Sequence, residues 1–318
     1  MRPYFSVVIP LYNKESYIQR AVHSVLSQDF ENFELLLIDD GSTDGSVDSI
    51  SSLEDCRIRI IRQEHKGASA ARNKGIEESL ADYVAFLDAD DEWKSSHLEN
   101  ISNLIESYPD VLLFSTNYEL QLSKTSIVPS NLPFLEETGL VSDFFYWTAF
   151  GDCPANASSS CLHKDCFRRA GVFPDDSPYA EDLDMWIRVA SHGYFAIHET
   201  PSVVIHKEAI GRATRSQTPL PGELLPIERT IAELRDRGKA DDAYLHAILN
   251  KTLLGRAKNA VWSKDSKAIK YWAHKVVPRN VHDHVRKRVM LGISWLPKIL
   301  QAGLLRIILL LNKSGVSF

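Results

Sequence analysis

In Leu87-Asp88-Ala89-Asp90-Asp91, three aspartates fall within four positions, directly after the apolar run at 83–87. Carboxylates this close repel one another unless a cation joins them. Hard oxygen ligands of this kind suit Mg²⁺ or Mn²⁺. Two other apolar runs end in polar residues: 5–10 leads into Leu11-Tyr12-Asn13, and 33–38 into Asp39-Asp40-Gly41-Ser42. Tyr12 offers a π-face to a planar ring, and Asp40 an acceptor for a ring N–H. No G-x-G-x-x-G follows the first run and no G-x-x-x-x-G-K-[ST] occurs anywhere, so a backbone cradle for phosphate is missing. A divalent ion held by the aspartates is the other way to grip a diphosphate. The neighbouring acids have plainer expected roles: Asp39 orders the turn before Gly41, Asp91 caps the loop ahead of the next helix, and Asp184 faces solvent.

The elements that must position these residues alternate along the first third of the chain. The runs "FSVVIP" (5–10), "FELLLI" (33–38), "RIRII" (57–61), "YVAFL" (83–87) and "VLLF" (111–114) are short and almost continuously apolar, as parallel strands buried on both faces are. Helical spacing occupies 15–28, 45–53, 68–80 and 95–107. Repeated β-α-β units predict an α/β domain with a mainly parallel central sheet flanked by helices. In such a sheet, ligands bind beyond the carboxyl ends of the strands, and the polar stretches sit at three of those ends. Residues 116–178 read as loop-rich with a short helix near 139–149, 181–193 as a helix, and "YFAIH" and "SVVIH" as two further strands. Past about Pro219 the pattern is helical, and "TPLPG" (218–222) marks the expected boundary between a catalytic domain (1–218) and a helical C-terminal region (219–318).

Five blocks, "SVVIPLYN" (6–13), "LLIDDGSTDGS" (36–46), "GASAARNKGI" (67–76), "YVAFLDADDEW" (83–93) and "EDLDMWIR" (181–188), together resemble the family 2 glycosyltransferases, which have the GT-A nucleotide-sugar-binding fold. The resemblance runs over about 4–210. It implies inverting transfer of a sugar from a nucleoside diphosphate donor, with uridine the favoured base. It also implies residue roles. Pro10 and Tyr12 contact the base, Asp40 accepts from it, and Arg72 lies near the donor. Asp88 and Asp90 form the D-x-D element, Asp88 towards ribose or sugar hydroxyls and Asp90 as a direct ligand of Mn²⁺ or Mg²⁺. Asp182 is the catalytic base, His206 completes the metal site, and Glu181 and Trp186 are candidates for the acceptor side. Trp186 has a competing place in the apolar face of its helix, and Arg72 in an ion pair with a neighbouring carboxylate.

The chain has 318 residues and a net charge of −6, which does not point to nucleic acid. That average divides into about −15 for residues 1–262 and +9 for 263–318. Residues 282–313 mix Arg/Lys with long apolar stretches, but Pro297, Lys298 and Arg306 interrupt them. An amphipathic helix lying on an anionic membrane surface is expected rather than a span; the alternative is a bundle packed on the catalytic domain or on a second subunit. Oligomeric state stays open. Four cysteines without CxxC or Cys/His ligand spacing, and no signal-peptide pattern, predict a cytoplasmic protein, placed by its tail at the inner face of the membrane. A saccharide or lipid-linked saccharide is the expected acceptor. Two alternatives remain: a sugar-phosphate nucleotidyltransferase, for which only Lys14 is available near the first strand, and a non-catalytic nucleotide-sugar or glycan-binding module.

Overall fold

A computed structural model of the chain describes residues 2–175, 180–209, 225–263 and 265–296. The first unit, Met1–Ile210, is built on one mixed sheet. Its elements are β1 (Phe5–Leu11), α1 (Ile18–Leu26), β2 (Phe33–Asp39), α2 (Asp48–Ser51), β3 (Ile58–Arg62), α3 (Ala68–Glu78), β4 (Tyr83–Phe86), β5 (Glu92–Trp93), α4 (His97–Ser107), β6 (Leu113–Ser123), β7 (Ser126–Pro129), β8 (Gly139–Val141), α5 (Phe144–Phe150), β9 (Ser160–His163), α6 (Asp165–Ala170), α7 (Glu181–Ala190) and β10 (Phe195–His206). The strand order is β3-β2-β1-β4-β9-β6-β10-β5, with β7 on β6 and β8 on β10. The parallel ladders β1–β2 and β6–β10 are the longest; the antiparallel ladders are short.

The runs that form β1 and β2 are central strands with both faces covered, whereas β3, at the edge of the sheet, is only partly buried instead of buried on both faces. All seven residues of β2 are buried, and so are all but Pro10 of β1. α1 lays Ile18, Ala21, Val22 and Val25 against the sheet. α3 approaches more closely still: a Cβ on Gly75 would sit 2.3 Å from Val8 Cγ1, so only glycine allows that contact. The buried polar groups in this layer are paired. Glu34 accepts from Ser6 Oγ at 2.6 Å and from the Leu80 N–H at 2.6 Å, and meets Arg59 at 3.0 Å.

β2 and β3 lie on one side of β1 and β4 on the other. Chain direction across the sheet therefore switches between β1 and β4, and a crevice opens at their carboxyl ends. The fold differs from the sequence expectation in several places, and within 116–178 the outer half of β6, β7 and α6 also replace expected loop. β9 arises inside the stretch expected to be loop, because its polar "SSSCLH" run carries no apolar periodicity yet pairs with both β4 and β6. The helix expected near 139–149 is preceded by β8, which pairs with β10. The two expected last strands are one strand, β10, whose register shifts between His198 and Val203, around Pro201; proline cannot donate to a ladder, so it sits at the irregularity.

The second unit, Gly211–Phe318, has four described helices: α8 (Pro226–Asp236), α9 (Asp242–Trp262), α10 (Ser266–Lys275) and α11 (Val281–Ser294). The side chains of Asp241, Asp265 and Asn280 accept from first-turn N–H groups of α9, α10 and α11. Lys275 bonds both oxygens of Glu228 at 2.9 Å. The 218–222 boundary and the tail beyond 296, including Pro297, Lys298 and Arg306, lie outside the described residues. Among the described residues no helix is long and apolar enough to cross a membrane.

Candidate active site

Three loops meet at the crevice. After β1, Asn13 takes a left-handed conformation (φ 50°), and its side chain accepts from the Thr43 N–H at 2.8 Å while its own N–H donates to Ser42 Oγ. The β1 and β2 loops are stitched together by these bonds. Asp39 orders the second loop as expected, accepting from the Ser42 N–H at 3.0 Å. Pro10 pairs in register with Ile38 next to the rim. Tyr12 is 40% exposed and stacks on His65, ring centroids 4.0 Å apart and 20° from parallel. Asp40, by contrast, is buried. Its Oδ1 accepts from Gln63 Nε2 at 2.7 Å and the Lys66 N–H at 2.8 Å; Oδ2 accepts from the Gly67 N–H at 2.8 Å and faces His65 Nδ1 at 2.9 Å. Asp40 thus holds the 63–67 loop, and with it the histidine under Tyr12, rather than standing as an open acceptor at the rim.

The β4 loop brings the three aspartates together. One oxygen from each of Asp88, Asp90 and Asp91 lies within 4.8 Å of the others. An all-carboxylate set of this size fits a hard divalent ion. Their repulsion is met by different partners for each. Asp88 Oδ1 accepts from Arg72 Nη2 at 2.8 Å, and Asp90 Oδ2 meets Lys14 Nζ at 2.7 Å. Asp91 accepts from Ser158 Oγ at 2.6 Å and from the His206 N–H at 2.9 Å. Asp91 is therefore an inward anchor of its own loop, where the sequence suggested a cap of the loop ahead of the next helix. Arg20 donates to the Asp90 carbonyl as well.

Arg72 connects this cluster to α7. Its guanidinium is buried, with Nη2 on Asp88 and Nη1 3.2 Å from Glu181 Oε1. Burial alone would lower its pKa, but Asp88 and Glu181 outweigh that and raise it. α7 begins at Glu181 after Ala180 in a left-handed conformation (φ 59°). Glu181 and Asp182 thus sit in the first turn, where carboxylates suit the helix dipole. Asp182 Oδ1 accepts from the Leu183 N–H at 2.7 Å. Burial raises the pKa of both acids; Arg72 opposes the rise in each, while Asp182 adds to that of Glu181 and Asp88 to that of Asp182.

Three expected positions are corrected. Trp186 is wholly buried against Phe173, centroids 5.7 Å apart, so it is core and lines no acceptor pocket. His206 stands outside the aspartate cluster: Nε2 faces Glu92 at 3.1 Å and Nδ1 faces Glu208 at 2.9 Å. Burial would lower its pKa, but the two glutamates raise it. What reaches the cluster is its backbone N–H. Asp184 is buried and paired with Arg188 at 2.9 Å instead of facing solvent. Sequence reasoning passed over Ser158 and His65, and took Lys14 only as an incomplete phosphate lysine; no local pattern marks any of them as a partner of the aspartates or of Tyr12.

Residues 6–156 match the family model for glycosyl transferase family 2. The chain is 30% identical over 194 residues to the UDP-Glc:alpha-D-GlcNAc-diphosphoundecaprenol beta-1,3-glucosyltransferase WfaP of Escherichia coli, spanning 59% of this chain and 70% of that protein. The chain belongs to glycosyltransferase family 2. It superposes on Staphylococcus aureus TarS, solved with UDP-GlcNAc, with a TM-score of 0.67 at 17% identity over 91% of this chain and 90% of that one. The TM-score to a Pyrobaculum calidifontis mannosyltransferase solved with GDP-Man and Mn²⁺ is 0.54 at 17% identity, over 95% and 85%. These likenesses show the GT-A fold. Against several other curated relatives the match spans only 30–42% of their length.

Proposed function

We propose that the chain is a divalent-metal-dependent, inverting glycosyltransferase that moves a sugar from a nucleoside diphosphate, with uridine as the base, to a saccharide or lipid-linked saccharide in surface glycan synthesis. The observation that carries this is the continuous acidic rim. The Asp88–Asp90–Asp91 cluster and the Glu181–Asp182 pair, far apart in sequence, are joined through the single buried guanidinium of Arg72.

The residues divide the work. Tyr12 stacks the base, with Pro10 beside it, and Asp40 supports that platform through His65. Asp88 and Asp90 would hold the Mn²⁺ or Mg²⁺, with Asp91 setting the loop. Bound there, the ion supplies positive charge to the departing diphosphate oxygens. Asp182 takes the proton of the attacking hydroxyl, and its raised pKa makes it a stronger base than an ordinary aspartate. One such carboxylate is enough when the leaving group needs no acid; a glycosidase flanks its bond with two. Attack opposite the leaving group turns an α-linked donor into a β-linked product. Arg72 keeps Asp88 and Glu181 in fixed relation, so that donor and base sides share one geometry. The lipid-linked acceptor of WfaP supports the acceptor class and UDP-GlcNAc in TarS the donor class. A membrane-facing position is supported by Trp295, 78% exposed with Lys270 Nζ 3.7 Å from its ring centroid, and by exposed Arg286 and Arg288 on α11.

Incubation with Mn²⁺ and a panel of nucleotide sugars tests the proposal. Slow release of nucleoside diphosphate from one UDP-sugar is expected. Chemistry confined to nucleoside triphosphates points to a nucleotidyltransferase, and binding without release to a non-catalytic module; either result rejects the proposal.

A further inference from the structure

We infer that the Lys14 ammonium is a built-in counter-ion of the aspartate cluster, which holds Asp90 until a divalent ion takes its place and then passes to the diphosphate arriving with that ion. This rests on the metal and donor assignments above and adds a residue they do not include. Lys14 Nζ meets Asp90 Oδ2 at 2.7 Å, with both side chains largely buried. The stem starts from a fixed point. The Lys14 N–H donates to Ser46 Oγ at 2.7 Å, and its carbonyl accepts from Tyr17 and Ile18 N–H groups at 2.8 and 2.9 Å. Beyond that point the side chain has four methylenes, its ammonium also lies 5.9 Å from the Tyr17 ring centroid, and that ammonium carries no fixed fork geometry.

The three carboxylates differ in how exchangeable their partners are. Asp88 is held by a buried guanidinium that a second acid also grips, and Asp91 by Ser158 and the His206 backbone. Asp90 is paired with the long, single-headed cation. A divalent ion held by Asp88 and Asp90 would have to share Asp90 with that ammonium, and two cations on one carboxylate repel. The ion alone therefore binds against a competitor. When a nucleoside diphosphate is present, its negative oxygens accept the displaced ammonium, and ion and nucleotide strengthen each other's binding by the same factor.

The test counts free Mn²⁺ by electron paramagnetic resonance in titrations of the full chain, alone and with saturating UDP or GDP, whichever tightens the wild-type ion. Lys14→Met is expected to bind Mn²⁺ alone about tenfold more tightly than wild type, and the tightening produced by the nucleotide is expected to shrink by a similar factor. Lys14→Gln, less apolar, repeats the measurement should the Met variant misfold. Wild-type or weaker Mn²⁺ affinity in both variants overturns the counter-ion role. Undiminished tightening by the nucleotide overturns the transfer to phosphate. Asp90→Asn separates this failure from that of the site itself: if it binds Mn²⁺ as wild type does, the ion does not sit on these aspartates at all.

Discussion

Removing the Arg72 guanidinium while keeping its bulk, in Arg72→Met, strikes the link between the two acidic groups. Asp88 and Glu181 each lose a charged partner, at 2.8 and 3.2 Å, and keep their place in a poorly solvated rim. Breaking a buried ion pair from one side costs about 3–5 kcal/mol. The Asp88 side chain retains 28% exposure and Glu181 16%, so water offsets part of the loss and the lower end, about 3 kcal/mol, applies. For a unit of this size about 3 kcal/mol corresponds to a fall in Tm of about 6–12 °C. The loss should also depend on pH. Glu181 and Asp182 already have raised pKa values, so the folded state holds their protons more tightly than the unfolded chain, and stability falls as pH rises through the raised values. Without Arg72, which opposes the rise in both, that window extends upward. The deficit of Arg72→Met should therefore be smaller at acid pH, where Glu181 and Asp182 hold protons, and grow as pH rises through their raised values. Thermal unfolding of both proteins from acid to alkaline pH, with no added metal, measures it. A deficit below about 1 kcal/mol, or one equal at both ends of the range, refutes the view of Arg72 as the charge link of the rim.

Two further outcomes follow from the same geometry. Asp182→Asn should lower kcat by about 10²–10⁴-fold while donor affinity stays near wild type, and the acid limb of wild-type kcat should lie above the ordinary aspartate range; equal loss of turnover and donor binding would remove Asp182 from the role of base. Gly75→Ala gains up to about 1 kcal/mol of helix propensity, but its Cβ would lie 2.3 Å from Val8 Cγ1 in a fully buried strand, so a net loss of about 1–2 kcal/mol in denaturant unfolding is expected. A stabilised variant would show that α3 can move away from β1.

Much of the architecture was legible in sequence because parallel strands buried on both faces, as β1 and β2 are, are apolar almost without break, and β1 to β4 fall where apolar runs fall, the edge strand β3 included. The D-x-D stretch was legible for the opposite reason, since charges at the end of an apolar run are costly without a ligand or a partner, whereas the Glu181-Asp182 pair was marked only by the family resemblance. β9 was not legible, because a strand flanked on both edges can be polar when its hydrogen bonds are all made by neighbours remote in sequence. Trp186 and Asp184 sit on a helix whose periodicity gives the spacing of a face but not what packs against it. Lys14 reaches Asp90 across 76 positions and Arg72 reaches Glu181 across 109. Residue type and local spacing determined which groups this chain has to offer and at which strand ends they emerge. Tertiary structure alone decided which charges meet, because pairing between carboxylate and cation depends on distance through space, and the sheet's topology sets that distance independently of position along the chain.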